Sequence, residues 1–119
     1  MSRKPILCLD FDGVLHSYTS KWQGADIIPD PPVPGMVEFL TEAVKVFDVQ
    51  VYSTRSAHPG GIQAMMAWMA KYVPAEVAAK ISYPVSKPPA LVTIDDRAVR
   101  FEGVWPDIQW LRDLKPWNK

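Results

Sequence analysis

Four acidic side chains stand at the ends of apolar runs in this chain. Asp10 and Asp12 flank Phe11 in ILCLDFDGV, with Gly13 next. Asp95 and Asp96 close a second apolar run, LVTIDD, and Ser53 closes a third, VQVYS. Lys87 stands eight positions before Asp95. Carboxylates gathered in one place repel, so some must take up protons or share a cation. Mg²⁺ suits such a set, because it favours oxygen ligands and commonly joins one or two carboxylates to a phosphate. Two residues of extended chain span roughly 6.6 Å. That spacing places one carboxylate at a phosphorus atom and the other near its leaving oxygen. One aspartate then attacks phosphorus, and the second protonates the leaving group and later activates water. Lys87 adds fixed positive charge, which phosphoryl transfer needs most. Gly13 lets the backbone turn sharply beside a ligand.

These side chains work together only if the fold brings the three run ends to one edge. Residues 6–9 read as a buried strand. Residues 35–47 carry Met36, Leu40, Ala43, Val44 and Phe47 at helical spacing behind Pro34. Residues 49–52 are β-branched and aromatic and predict a second strand. Ile62, Met65, Met66, Met69 and Val73 predict an amphipathic helix over 61–73, with a further turn at 75–80. Short strands are expected at 81–83 and 91–94, the latter buried. A small edge element is expected at 101–105 and a closing helix at 107–114. The alternation implies an α/β layer fold with a central, mainly parallel sheet. Right-handed crossovers would align the strand C-termini, where open α/β sheets hold ligands. Residues 15–34, rich in proline, predict an extended excursion with a short hairpin.

Bulk properties narrow the classes. The 119 residues suit one domain spanning 1–119, and 48% apolar residues can fill a core. Thirteen basic and 13 acidic residues cancel, so no general nucleic-acid footprint is evident. A local basic groove from Arg3, Lys21, Arg55 and Arg97 remains open. The single cysteine, Cys8, cannot form an internal disulfide and reads as a small buried hydrophobe. Neither a signal peptide nor a membrane span is expected, so a cytoplasmic protein is the expectation.

The four motifs, in order, resemble those of the haloacid dehalogenase (HAD) superfamily of phosphohydrolases. Asp10-Phe11-Asp12-Gly13-Val14 is similar to its DxDG[TV] motif, Ser53 to the second, Lys87 to the third and Asp95-Asp96 to the acidic fourth. The resemblance implies a Rossmann-like three-layer α/β/α sandwich. It implies Asp10 as nucleophile, Asp12 as general acid/base, and Ser53 and Lys87 on the phosphoryl group. It further implies Mg²⁺ held by Asp10, the main-chain carbonyl of Asp12 and Asp95, with Asp96 at or just beyond the ligands. Neither 13–34 nor 53–87 can hold the cap domain of many relatives. The resemblance is therefore to a capless member, with 15–34 as a flap and a site open to a large substrate or to closure by another subunit. Alternatives are a phosphotransferase to a non-water acceptor, and a non-catalytic phosphate-binding or interaction module on the same fold.

Other residues carry two readings. Ser53 can cap the next helix, leaving Thr54 as the phosphate ligand. Arg55 and Arg97 can fork onto a substrate phosphate or pair with a neighbouring acid. His16 and His58 follow motif strands, but without metal-ligand spacing they read as surface or flap residues. Gly60-Gly61 reads as a plain helix start, since the lysine and Ser/Thr of a P-loop are missing. Trp22 in the flap can stack on a base or ring. Trp68, Trp105 and Trp110 are expected in the core.

Overall fold

The computed structural model describes residues 4–117. Strand β1, Ile6–Leu9, buries Leu7, Cys8 and Leu9. Helix α1, Met36–Val46, places Met36, Leu40, Ala43 and Val44 on one buried face, as the apolar spacing predicts. Glu38 in its first turn and Lys45 in its last complement the helix dipole. Strand β2, Asp48–Val51, returns beside β1. A 3-10 turn over Thr54–Ala57 leads to helix α2, Gly61–Tyr72. Of its methionine stripe, Met65 and Met69 are fully buried, whereas Met66 faces solvent. The short helix α3, Ala75–Ala78, and strand β3, Ile81–Ser82, follow. Strand β4, Val92–Ile94, and helix α4, Ile108–Arg112, complete the order.

The sheet runs β3-β2-β1-β4, and every pairing is parallel. Leu9 stands opposite Val51 on one side and Ile94 on the other. Backbone bonds continue the ladder past the strand ends, from Asp10 N to Ile94 O at 3.0 Å and from Tyr52 N to Leu9 O at 3.1 Å. The three polar run endings therefore meet at one edge, as the sequence predicts.

The α/β class holds, but the layering differs from the expected sandwich. The steps from β1 to β2 and from β2 to β3 both move away from β4, so right-handed crossovers put α1 and α2 on the same face. That face holds Leu7, Leu9, Val49, Val51 and Ile81 within the core. The opposite face bears buried Cys8 between half-buried Gln50 and exposed Thr93, with exposed Ser82 beyond Gln50, and α4 buries none of its residues. Helical cover is thus developed on one face. For the same reason β4 is an exposed edge and not the buried strand expected at 91–94. Residues 101–105 form no strand, and Trp105 and Trp110 are exposed, unlike Trp68, which is core. Among the described residues, no helix is long and apolar enough to cross a membrane.

Between β1 and α1 the chain forms the flap. Its base is a tight turn in which Phe11 O accepts from Leu15 N and His16 N, both at 2.9 Å. In place of a hairpin, one antiparallel bridge joins His16 to Pro32, flanked by Ser17 N to Pro31 O and Val33 N to Leu15 O. At the other end of the chain, Trp117 Nε1 donates to Gly13 O at 2.7 Å.

Candidate active site

The parallel edge gathers Asp10, Asp95 and Asp96 so that one oxygen from each lies within 4.8 Å of the others. Burial pushes the Asp10 carboxyl up to about 7, and the nearby Asp95 charge pushes the same way. Burial and a hydrogen bond with Asp95 also raise Asp96. Asp96 Oδ1 is buried with no hydrogen-bond partner. An acceptor stranded beside two further carboxylates is unfavourable by about 1–3 kcal/mol, unless a cation meets it. The donor set is all oxygen, which fits a hard divalent ion.

Gly13 explains why the motif carries glycine. Its φ is +83°, and a Cβ there would overlap the Asp96 carboxylate. The glycine of the first motif thus makes room for an acid of the last.

Asp12 faces a different set of partners. Arg55 Nε lies 3.0 Å from Oδ2 and 3.2 Å from Oδ1, and Arg55 Nη2 lies 3.1 Å from Oδ1. His16 Nδ1 adds a bond to Oδ1 at 2.9 Å. The Asp12 side chain therefore stands outside the three-carboxylate cluster, and only its main-chain carbonyl is left for the expected metal role. Oδ1 receives three bonds and Oδ2 one, so Oδ2 keeps acceptor capacity where Asp12 lines the cleft.

His16 lies in the flap, one of the two roles expected for it, but it is fully buried and not on the surface. The Asp30 backbone N–H donates to its Nε2 at 3.1 Å. Nε2 is thus the acceptor nitrogen, and the ring proton sits on Nδ1, pointing at Asp12. Asp30 is buried too. Burial works to raise its carboxyl, but Ser20, through its hydroxyl at 2.6 Å and backbone N–H at 2.7 Å, brings it below its usual value. Trp68 Nε1 donates to Asp30 O at 3.0 Å. Phe11 stacks on the His16 ring, and Trp68 meets it edge-on. This chain of bonds runs from Asp12 through the flap to α2.

Arg55 is also fully buried. Beyond Asp12, its Nη1 donates to the carbonyls of Gly24, Ala25 and Ile27 at 2.8, 2.9 and 3.2 Å. A substrate phosphate is therefore not its partner, contrary to one of the two sequence expectations. It pins the flap to the first motif. Gly61 permits this, since a Cβ there would overlap the Arg55 carbonyl. The basic groove does not form as expected: Arg55 is internal, Arg3 lies outside the described residues, and Lys21 and Arg97 line the cleft.

Ser53 caps the 3-10 turn, its Oγ accepting from Arg55 N at 2.9 Å, while Ser56 Oγ accepts from Ser53 N at 3.1 Å. The Ser53 hydroxyl proton stays available. Ser53 and Thr54 both line the two cavities at this edge. The larger cavity, about 650 Å³, also takes in Asp10, Asp12, Asp96 and the flap. The adjoining one, about 530 Å³, brings Lys87 together with Asp10 and Asp95.

Two flap residues adopt left-handed backbone, Tyr18 at φ 61° and Lys21 at φ 63°. Neither is glycine, and such strain is unfavourable by roughly 1–2 kcal/mol per residue. Both line the larger cavity, beside Trp22 and His58. Strain of this kind concentrates where a site requires a fixed geometry.

No protein-family model matches this chain, and no curated protein is significantly similar to it in sequence.

Proposed function

We propose that the chain is a HAD-type, Mg²⁺-dependent phosphohydrolase that cleaves a phosphomonoester through an aspartyl-phosphate on Asp10. The observation that carries this is the meeting of Asp10, Asp95 and Asp96 around a buried, unpartnered Asp96 oxygen. Ser53, Thr54 and Lys87 converge on the same edge. Mg²⁺ held by Asp10, Asp95 and Asp96, with the Asp12 carbonyl, would neutralise charge on the transferring group. An Asp10 carboxylate oxygen forms the new bond to phosphorus as the bond to the leaving oxygen breaks. Asp12 gives that oxygen its proton. Asp12 then takes a proton from water as the water oxygen attacks phosphorus, which frees Asp10 and releases inorganic phosphate. Arg55 and His16 hold Asp12 in place for both transfers. Lys87 and the Ser53 or Thr54 hydroxyl orient the phosphoryl oxygens.

The test is release of inorganic phosphate from a panel of phosphomonoesters, with Mg²⁺ and with a chelator. Turnover should require Mg²⁺ and should fall at least about a thousandfold in Asp10→Asn, as expected on losing the nucleophile. Phosphate release that survives Asp10→Asn would remove Asp10 from the role. Mg²⁺ binding without turnover of any ester would point to the phosphate-binding module instead.

A further inference from the structure

The larger cavity exceeds what a phosphoryl group requires, and beyond the acids, Ser53, Thr54 and Pro116 its wall is made of rings and cations. Tyr18, Trp22 and His58 present rings to it, and Lys21 and Arg97 present cations. The rings are braced. The Arg55 guanidinium carbon lies 4.8 Å from the Trp22 ring centroid, and His58 tilts against Trp22 at 5.9 Å. Tyr18 meets the buried His16 ring edge-on at 6.0 Å. Trp22 nevertheless stays 44% exposed. A tryptophan with a guanidinium packed against it and the rest open to a cleft is a stacking platform. The strained backbone at Tyr18 and Lys21 fixes the segment that carries it.

From this wall we infer that the cleft is a subsite for a nucleotide, whose base stacks on Trp22 while its phosphate lies at Asp10. This rests on the phosphohydrolase reading and adds the substrate class to it. A cavity of about 650 Å³ suits a ligand larger than a phosphate and a short chain. A sugar between ring and phosphorus gives the ring a longer reach toward the flap than a ring bonded directly to the phosphate. Lys21 and Arg97 supply charge for the sugar-phosphate. The same chemistry is offered by a free nucleoside monophosphate and by the terminal nucleotide of a strand.

Three measurements on the full chain test this. The first compares kcat/KM for adenosine 3′- and 5′-monophosphates, ribose 5-phosphate and phenyl phosphate. A nucleotide should be preferred over ribose 5-phosphate by about tenfold or more, as expected for one stacked base. That preference should shrink toward one in Trp22→Ala. Trp22→Phe, which keeps a ring, should retain most of it and guards against a folding defect. The second follows the Trp22 indole N–H by NMR as adenosine 5′-monophosphate is added to Asp10→Asn with Mg²⁺. A saturable shift is expected, and it reports the subsite even if no ester is hydrolysed. The third sets dinucleotides phosphorylated at either end against the mononucleotides, and a higher kcat/KM identifies a strand end as the source. Turnover of ribose 5-phosphate equal to that of both nucleotides, with no indole shift, would overturn the subsite and leave the hydrolase reading intact. A Trp22-dependent preference for phenyl phosphate over nucleotides would also overturn it, in favour of an aryl phosphate.

Discussion

Metal-free protein should lose stability as pH rises through the range where Asp10 gives up its proton. The Asp10 carboxyl is held at about 7 in the fold, mainly by burial and then by the Asp95 charge, against an ordinary 3.8. Between those values the folded chain binds a proton that the unfolded chain has released. Stability is then highest at low pH and declines toward pH 7, with a limiting slope of about 1.4 kcal/mol per pH unit. From pH 5 to pH 7.5 the full effect is about 2.5 kcal/mol. Asp10 is not wholly enclosed, and solvent screens part of this, so about 1–2 kcal/mol is the working figure. For a chain of this size that lowers Tm by about 4–8 °C. The assay is thermal unfolding across pH in chelator and in Mg²⁺, on wild type and Asp95→Asn. On the proposed metal site Mg²⁺ would bind the ionised acids, so it should raise Tm more at pH 7.5 than at pH 5. Asp95→Asn should reduce the pH slope without abolishing it, because burial remains, and should lose most of the Mg²⁺ effect. A chelated Tm that is flat or rising over this interval would refute the reasoning. So would an equal Mg²⁺ effect at both ends.

Three further outcomes follow from the buried network. Arg55→Met removes the partner of Asp12 and the anchor of three flap carbonyls. It should be destabilising by about 3–5 kcal/mol, read from the urea midpoint, as for a buried ion pair broken on one side. For His16, nitrogen NMR at neutral pH should find Nδ1 protonated and Nε2 bare, because the Asp30 N–H fills Nε2. In His16→Phe, which strips both bonds, kcat should fall at a nearly constant KM, since Asp12 loses its orientation and not its substrate contacts.

The elements nearest the site were legible because their signals are local. Four apolar residues ending in Asp10 form a strand wherever they sit in a sheet, and the α1 and α2 stripes each bury one face. Asp10, Ser53 and Asp95 could be placed together because parallel strands share a polarity. The sequence of β4 predicts a buried strand because a short apolar run reads alike at the centre and at the edge of a sheet. What decides is which face the crossovers cover, a property of the whole topology. Arg55 and His16 show the other kind of gap. Arg55 meets Asp12 across 43 positions of sequence, and His16 depends on where a proline-rich loop brings the Asp30 amide. No spacing rule encodes either partner, although a histidine four residues from a motif aspartate was the available hint.

The way Arg55 secures the flap bears on how such a site changes over generations. Its Nη1 grips Gly24, Ala25 and Ile27 through their main-chain oxygens, which any amino acid supplies. Side chains along this loop are therefore relieved of part of the task of holding it in place, which His16, Ser20 and Asp30 share. Substitutions at positions such as 21 and 22 can alter what the cleft accepts while the anchor persists. Chemistry and specificity are thereby uncoupled: one side chain fixes the acid and the loop path, and the loop's own residues are left to diversify. A library confined to the flap, with Arg55 retained, is the natural place to change what this cleft accepts.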